Sequence, residues 1–237
     1  MSDKKLTILA IGGHVGDAEL TAGGVLASHS LKGDRIVTLA LTPGERGVPA
    51  GQDMGEYKAQ KIREAHAFAE MLGGEAIVFD DNADGELPDD QDIRFRVADV
   101  IRRVKADVLI THWKNSMHKD HMTTHRIVND ARFFAGLASF QRELPAYFAS
   151  KLYYAENWED AVDYRPYVYV DFDQEAFDLW VRAVSQHWFV TGSKSFPYLE
   201  YYKHLARVRG IEARKQYAET FMIPEETMRL RQTSLWF

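Results

Sequence analysis

Short apolar runs and helical stripes alternate along the first half of the chain. Leu6–Ile11 is continuously apolar and closed by glycines, which predicts a buried strand. From Asp17 the pattern turns helical, with Leu20, Gly24, Ala27 and Leu31 on one face. Arg35–Leu41 predicts a second strand, ended by the loop "TPGERG". Ala65, Phe68, Ala69 and Leu72 mark a helix that Gly73-Gly74 stops. "AIVF" (76–79) predicts a third strand, followed by the acidic loop "DDNADGELPDD". Ile93, Val97, Val100, Ile101 and Val104 form a helical stripe, and Asp107–Thr111 a fourth strand.

These strands are apolar throughout rather than alternating, so both of their faces are buried. That predicts a mostly parallel sheet with helices on both faces, in one Rossmann-like α/β domain over residues 1–237. The second half is less regular. A helix is expected over about 121–139, then two aromatic strands, "KLYYA" and "YVYVD". A helix with Ala176, Trp180, Ala183, Val184 and His187 on one face follows, and another near 198–217.

Charge narrows the partners. A net charge of −6 over 237 residues disfavours non-specific binding to nucleic acid or an anionic membrane. The chain has no cysteine, which removes disulfides and thiolate chemistry and leaves His and carboxylates as the strong metal ligands. "MSDKKLTILA" lacks a long apolar segment of signal-peptide type and no stretch has the length to span a bilayer, so a soluble, cytoplasmic protein is the default expectation.

In open α/β sheets, sites form beyond the carboxyl ends of the strands. The loops at 12–19, 42–47, 80–86 and 112–121 should meet there. In "GGHVGDAEL" only Gly13 and Gly16 fit a dinucleotide fingerprint, and Asp17-Ala18 stands where a phosphate loop needs Lys-Ser/Thr. A metal site fits better: His14 and Asp17 share a strand-to-helix turn, and "MHKDHMTTH" adds His118, Asp120, His121 and His125. The plainer reading is a helix-capping Asp17 and a solvated His121/His125 pair. Trp113 and Tyr153/Tyr154 suit a sugar platform or, as strand aromatics, the core.

These residues resemble the LmbE/PIG-L family of zinc-dependent N-acyl deacetylases, whose motifs read A-H-P-D-D-x-E and H-P-D-H. Here they stand as "GHVGDAE" and "HKDH". "LTPGERG" (41–47), "REAHAFAEMLG" (63–73), "DGEL" (84–87) and "RGIEARKQYAETF" (209–221) are similar to further family segments, in order. The resemblance implies an amino-sugar-like small-molecule substrate. It makes His14, Asp17 and His121 ligands of zinc or another divalent transition metal. It places His118 beside the scissile carbonyl as acid or oxyanion stabiliser and has Asp120 orient a histidine. Arg63, Glu45, Asp84 and Trp113 are then expected at the substrate. Family members are often homo-oligomers, which the sequence neither supports nor opposes.

One position departs from the pattern. The family's general base, which takes a proton from zinc-bound water, falls on Gly16, which has no side chain. A positioned base typically contributes about 10²–10⁴-fold. The sequence therefore allows a deacetylase with a relocated base, Asp120 or His118 standing in. It also allows other metal-assisted chemistry on a sugar-like substrate, or a catalytically silent carbohydrate binder. On a tolerant backbone, Gly16→Asp would return the base and speed N-acetyl hydrolysis.

Overall fold

The computed structural model describes residues 4–228. A seven-stranded sheet runs through it, formed by β1 (Thr7–His14), β2 (Arg35–Thr42), β3 (Glu75–Val78), β4 (Val108–His112), β5 (Lys151–Ala155), β6 (Val168–Phe172) and β7 (Tyr217–Met222). The strand order is β3-β2-β1-β4-β5-β7-β6. The first five are mutually parallel, whereas β7 runs antiparallel to both β5 and β6. The expected single α/β architecture is therefore present, with an antiparallel edge that the apolar pattern did not announce.

Among the described residues eight α-helices flank the sheet: α1 (Asp17–Thr21), α2 (Gly23–Leu31), α3 (Met54–Met71), α4 (Gln91–Val104), α5 (Lys119–Gly136), α6 (Gln174–Val184), α7 (Trp188–Gly192) and α8 (Tyr198–Glu212). One core packs α2, α3 and α6 on one face through Leu26, Phe68 and Trp180. The other packs α4 and α5 on the opposite face through Val97, Ile101 and Ile127. Asp53, Asp90 and Asp173 cap α3, α4 and α6 by accepting backbone N–H groups at 2.9–3.1 Å, which fixes where those helices begin.

Several expected boundaries move. The helix from Asp17 is two helices broken at Ala22, because the Trp180 indole lies across the break and donates Nε1–H to the Glu19 carbonyl at 2.9 Å. A Cβ on Gly23 would come within 2.2 Å of that indole, so glycine is what lets it approach. The last helix stops at Glu212, and "YAETFM", expected partly as helix, is β7. His187 leaves the face of α6, which ends at Val184, and precedes α7 instead. Among the described residues no helix is long and apolar enough to cross a membrane.

The strand order reverses direction between β1 and β4, which opens a crevice at the carboxyl ends of these two strands. The β1 and β4 turns deliver their side chains there.

Candidate metal centre

The crevice gathers all four predicted loops, with Asp17 at the start of α1 at its centre. Asp17 Oδ2 lies 3.2 Å from His14 Nδ1 and 3.4 Å from His121 Nε2. The far nitrogen of His14, Nε2, stands 3.0 Å from Asp84 Oδ1 and 3.4 Å from Asp120 Oδ2. Asp120 itself is fully buried, and its Oδ1 has no hydrogen-bond partner among the described residues. His118 caps α5: its Nδ1 accepts the Asp120 N–H at 3.2 Å, so in the neutral ring the proton sits on Nε2. That Nε2 faces the crevice, 4.0 Å from Asp84 Oδ1, on a side chain that is 34% exposed.

The local field is strongly polar. Burial opposes a charged His14, yet Asp17, Asp120 and Asp84 outweigh it and hold its pKa well above the usual value. His121 is likewise raised to about 9, because Asp17 and Asp160 overcome its desolvation. Burial would raise Asp17, but His121 and His14 hold it well below the carboxylate range. Such a cluster attracts positive charge, and a divalent cation bound there would displace the imidazole protons.

The donor set fits one. His14, His118 and His121 present nitrogens within 4.8 Å of one another, as do the donor atoms of Asp17, His112 and His121. Two imidazoles and a carboxylate are the usual ligands of catalytic zinc. The far nitrogens of His14 and His121 each meet a carboxylate, the arrangement that orients metal-bound histidines.

Two members of this cluster, His112 and Asp160, went unread in the sequence. His112 ends β4, where a strand-end histidine was a usable signal. Asp160 comes from the turn after β5 and carries no motif. His125, by contrast, turns away and donates its Nδ1–H to the His112 carbonyl at 3.0 Å.

The expected substrate residues separate. Asp84 lines the crevice, while Glu45 is buried beneath it with Oε1 accepting the Asp84 N–H at 3.0 Å. Arg63 is exposed on α3 and lines no part of the crevice. Lys61, two residues earlier and so about 200° around the helix, faces it instead. Trp113 is fully buried core, its indole donating to the Val162 carbonyl at 3.0 Å, and Tyr154 is core as well. The aromatic walls come from Trp158, Trp188, Phe189 and Tyr198, which the sequence reading left unassigned. The crevice has a volume of about 220 Å³, room for a small ligand.

Gly16 has φ +106°, in the region that favours glycine, and its N–H donates to Glu19 Oε2 at 3.1 Å. The Phe189 ring occupies the space above it: a Cβ at position 16 would lie 2.4 Å from two ring carbons. Lys61 lies over that ring, its Nζ 4.1 Å from the centroid and donating to the Val15 carbonyl at 2.7 Å.

An α/β fold with a histidine and carboxylate cluster at the sheet's reversal point defines the class of molecule. Residues 9–132, just over half of the chain, match the family described as PIG-L: GlcNAc-PI de-N-acetylase, and the chain belongs to that family. Its relatives do two kinds of chemistry. The chain is similar to 4-oxalmesaconate hydratase of Pseudomonas putida, 28% identical over 223 residues, 91% of this chain and 84% of that protein. It is also similar to diacetylchitobiose deacetylase of Thermococcus kodakarensis, 30% identical over 139 residues, 57% of this chain and 52% of that protein. The crystal structure of the 4-carboxy-2-hydroxymuconate hydratase of P. putida KT2440 superposes with a TM-score of 0.82 at 25% identity, covering 95% of this chain and all of that one.

Proposed function

We propose that the protein is a divalent-metal enzyme that adds water to, or removes it from, a small unsaturated carboxylate, with His14, Asp17 and His121 holding the ion. The observation that carries this reading is the Phe189 ring above Gly16. Amide hydrolysis in the resembled family uses a carboxylate at that position, and here an aromatic ring fills the space such a side chain would need. Asp120 is no substitute. It is fully buried, and one of its oxygens is held by the Gly85 N–H at 2.6 Å.

When bound, a divalent ion supplies positive charge that polarises a substrate oxygen and acidifies water. The chain's own groups do the rest. His118 holds a transferable proton at Nε2 on the crevice edge. Addition of water to a conjugated acid needs one proton delivered to carbon or an enolate oxygen, and no amine has to be expelled. Lys61 makes no ion pair among the described residues, and its ammonium has one hydrogen bond out of three, which suits it to a substrate carboxylate. The aromatic walls suit a flat, conjugated ligand. The similarity to a P. putida KT2440 hydratase, in sequence over 84% of that protein and in structure over the whole chain, supports the same reading.

N-acyl hydrolysis is the second reading, favoured by the family match and the deacetylase similarity. One comparison separates the two. Zinc-loaded protein is given carboxylated dienes and enols, followed by loss of conjugated absorbance, and N,N'-diacetylchitobiose, followed by amine release. Hydration without amine release is the expected result. Amine release at about 1 s⁻¹ or faster, an ordinary enzyme rate, with no hydration would overturn it.

A further inference from the structure

We infer that Asp160, braced by His112, is the positioning residue that sets the ring plane and tautomer of His121; this rests on the metal reading above. Asp160 ends the short turn Trp158–Asp160 and is fully buried. Its two oxygens serve two imidazoles. Oδ1 lies 3.2 Å from His121 Nδ1, and Oδ2 lies 3.2 Å from His112 Nδ1. The two rings are stacked, with centroids 3.9 Å apart and planes 13° apart. One carboxylate thus holds a parallel pair of imidazoles by their outer nitrogens, leaving both inner nitrogens directed at Asp17.

The hydrogen bonds fix the protons. His112 Nε2 accepts the Gly13 N–H at 3.0 Å, so its own proton is on Nδ1 and is donated to Asp160. Asp160 is thereby held in one rotamer and accepts the Nδ1–H of His121, which leaves the His121 Nε2 lone pair for an ion. Two weaker contacts reach His121 Nδ1, Ser116 Oγ at 3.3 Å and Glu159 Oε2 at 3.5 Å. Neither is locked by a second imidazole. His112 also joins the end of β4 to Gly13, the residue before His14, so the brace spans both strand ends that carry the cluster.

The test reads metal binding rather than turnover. Zn²⁺ affinity is measured by competition with a chromophoric chelator, and the Co²⁺-loaded protein by its visible ligand-field bands. Asp160→Ala is expected to weaken Zn²⁺ binding by about 10–100-fold and to shift the Co²⁺ bands. His112→Asn keeps a donor where Nδ1–H stands and should bind within about threefold of wild type. His112→Gln keeps only the acceptor toward Gly13 and should resemble Asp160→Ala. The two His112 variants give the answer even if Asp160→Ala does not fold. Equal affinity in His112→Asn and His112→Gln, or wild-type affinity and spectrum in folded Asp160→Ala, overturns the inference alone. A wild type that binds no ion overturns the metal reading with it.

Discussion

At the scale of single residues, Gly16 and Phe189 form a matched pair. Gly16→Asp alone would force an L side chain into positive φ, at about 1–2 kcal/mol, and drive its Cβ into the Phe189 ring. The simple restoration that the sequence suggested is therefore expected to lower the melting temperature and gain no activity. Gly16→Asp combined with Phe189→Ala removes the collision but keeps the backbone cost. That double variant should fold and raise N-acetyl hydrolysis over wild type by about 10²-fold, the scale of a positioned base. Amine release from diacetylchitobiose checks it, with Phe189→Ala as control. Lys61 carries a second prediction. Lys61→Met keeps an unbranched chain beside Phe189 and deletes the charge, so KM for a carboxylated substrate should rise about 10–100-fold, about 1.4–2.7 kcal/mol, with kcat moving less. Steady-state kinetics on the unsaturated acid decide it, and an unchanged KM would leave Lys61 a wall residue. His14, Asp17 and His121 could be read as candidates because two motifs placed them at strand ends. Lys61 could not, since which side of α3 faces the crevice is set by packing, and Arg63 made the more obvious cation.

At the scale of elements, the C-terminal segment "RGIEARKQYAETF" matched the family pattern without revealing what it does. In the fold it ties α8 and β7 to the rest. Arg209 pairs with Glu156, and Glu219 crosses from β7 to cap α2, accepting the Gly24 and Val25 N–H groups at 2.8 and 2.9 Å. A cap supplied from 195 residues away leaves no local signature, which is why the break at Ala22 and the existence of β7 were both unread. Glu219 is buried, and desolvation pushes its pKa up to about 8 in spite of the two N–H groups. A folded value above the unfolded carboxylate value of about 4.3 means the folded state binds the extra proton between the two. Stability from this group is full below about pH 4 and is lost as pH rises to about 8. Glu219→Gln cannot ionise. Its melting temperature relative to wild type should climb steadily in scans at pH 5, 6.5 and 8, whereas a constant difference would show that the carboxylate is charged throughout.

At the scale of the whole molecule, the four βα repeats of the first half were legible because each strand is buried on both faces and each helix shows one stripe. They predicted that the cluster would form among the loops at the carboxyl ends of the strands, whereas the reversal point between β1 and β4 is seen only in the fold. The antiparallel edge escaped because β6 and β7 pair non-locally and β6 alternates in burial, as a strand exposed on one face does. The cluster also couples the two halves. His14 and Asp17 come from β1 and α1, His121 from α5, and Asp160 from the turn after β5, so an ion there would bind only the folded chain. Ligands of that kind stabilise by RT ln(1 + [L]/Kd), about 4 kcal/mol at a thousandfold excess over Kd. For a chain of this length each kcal/mol is worth roughly 2–4 °C. Zinc added to chelator-stripped protein should therefore raise the melting temperature by roughly 8–16 °C. The same addition to His14→Ala or His121→Ala should raise it far less, because removing one imidazole opens the set that surrounds Asp17 Oδ2. Differential scanning calorimetry of the three proteins with and without zinc makes the comparison. Equal shifts in all three would place the stabilising ion elsewhere on the molecule and remove the assigned ligands from the site.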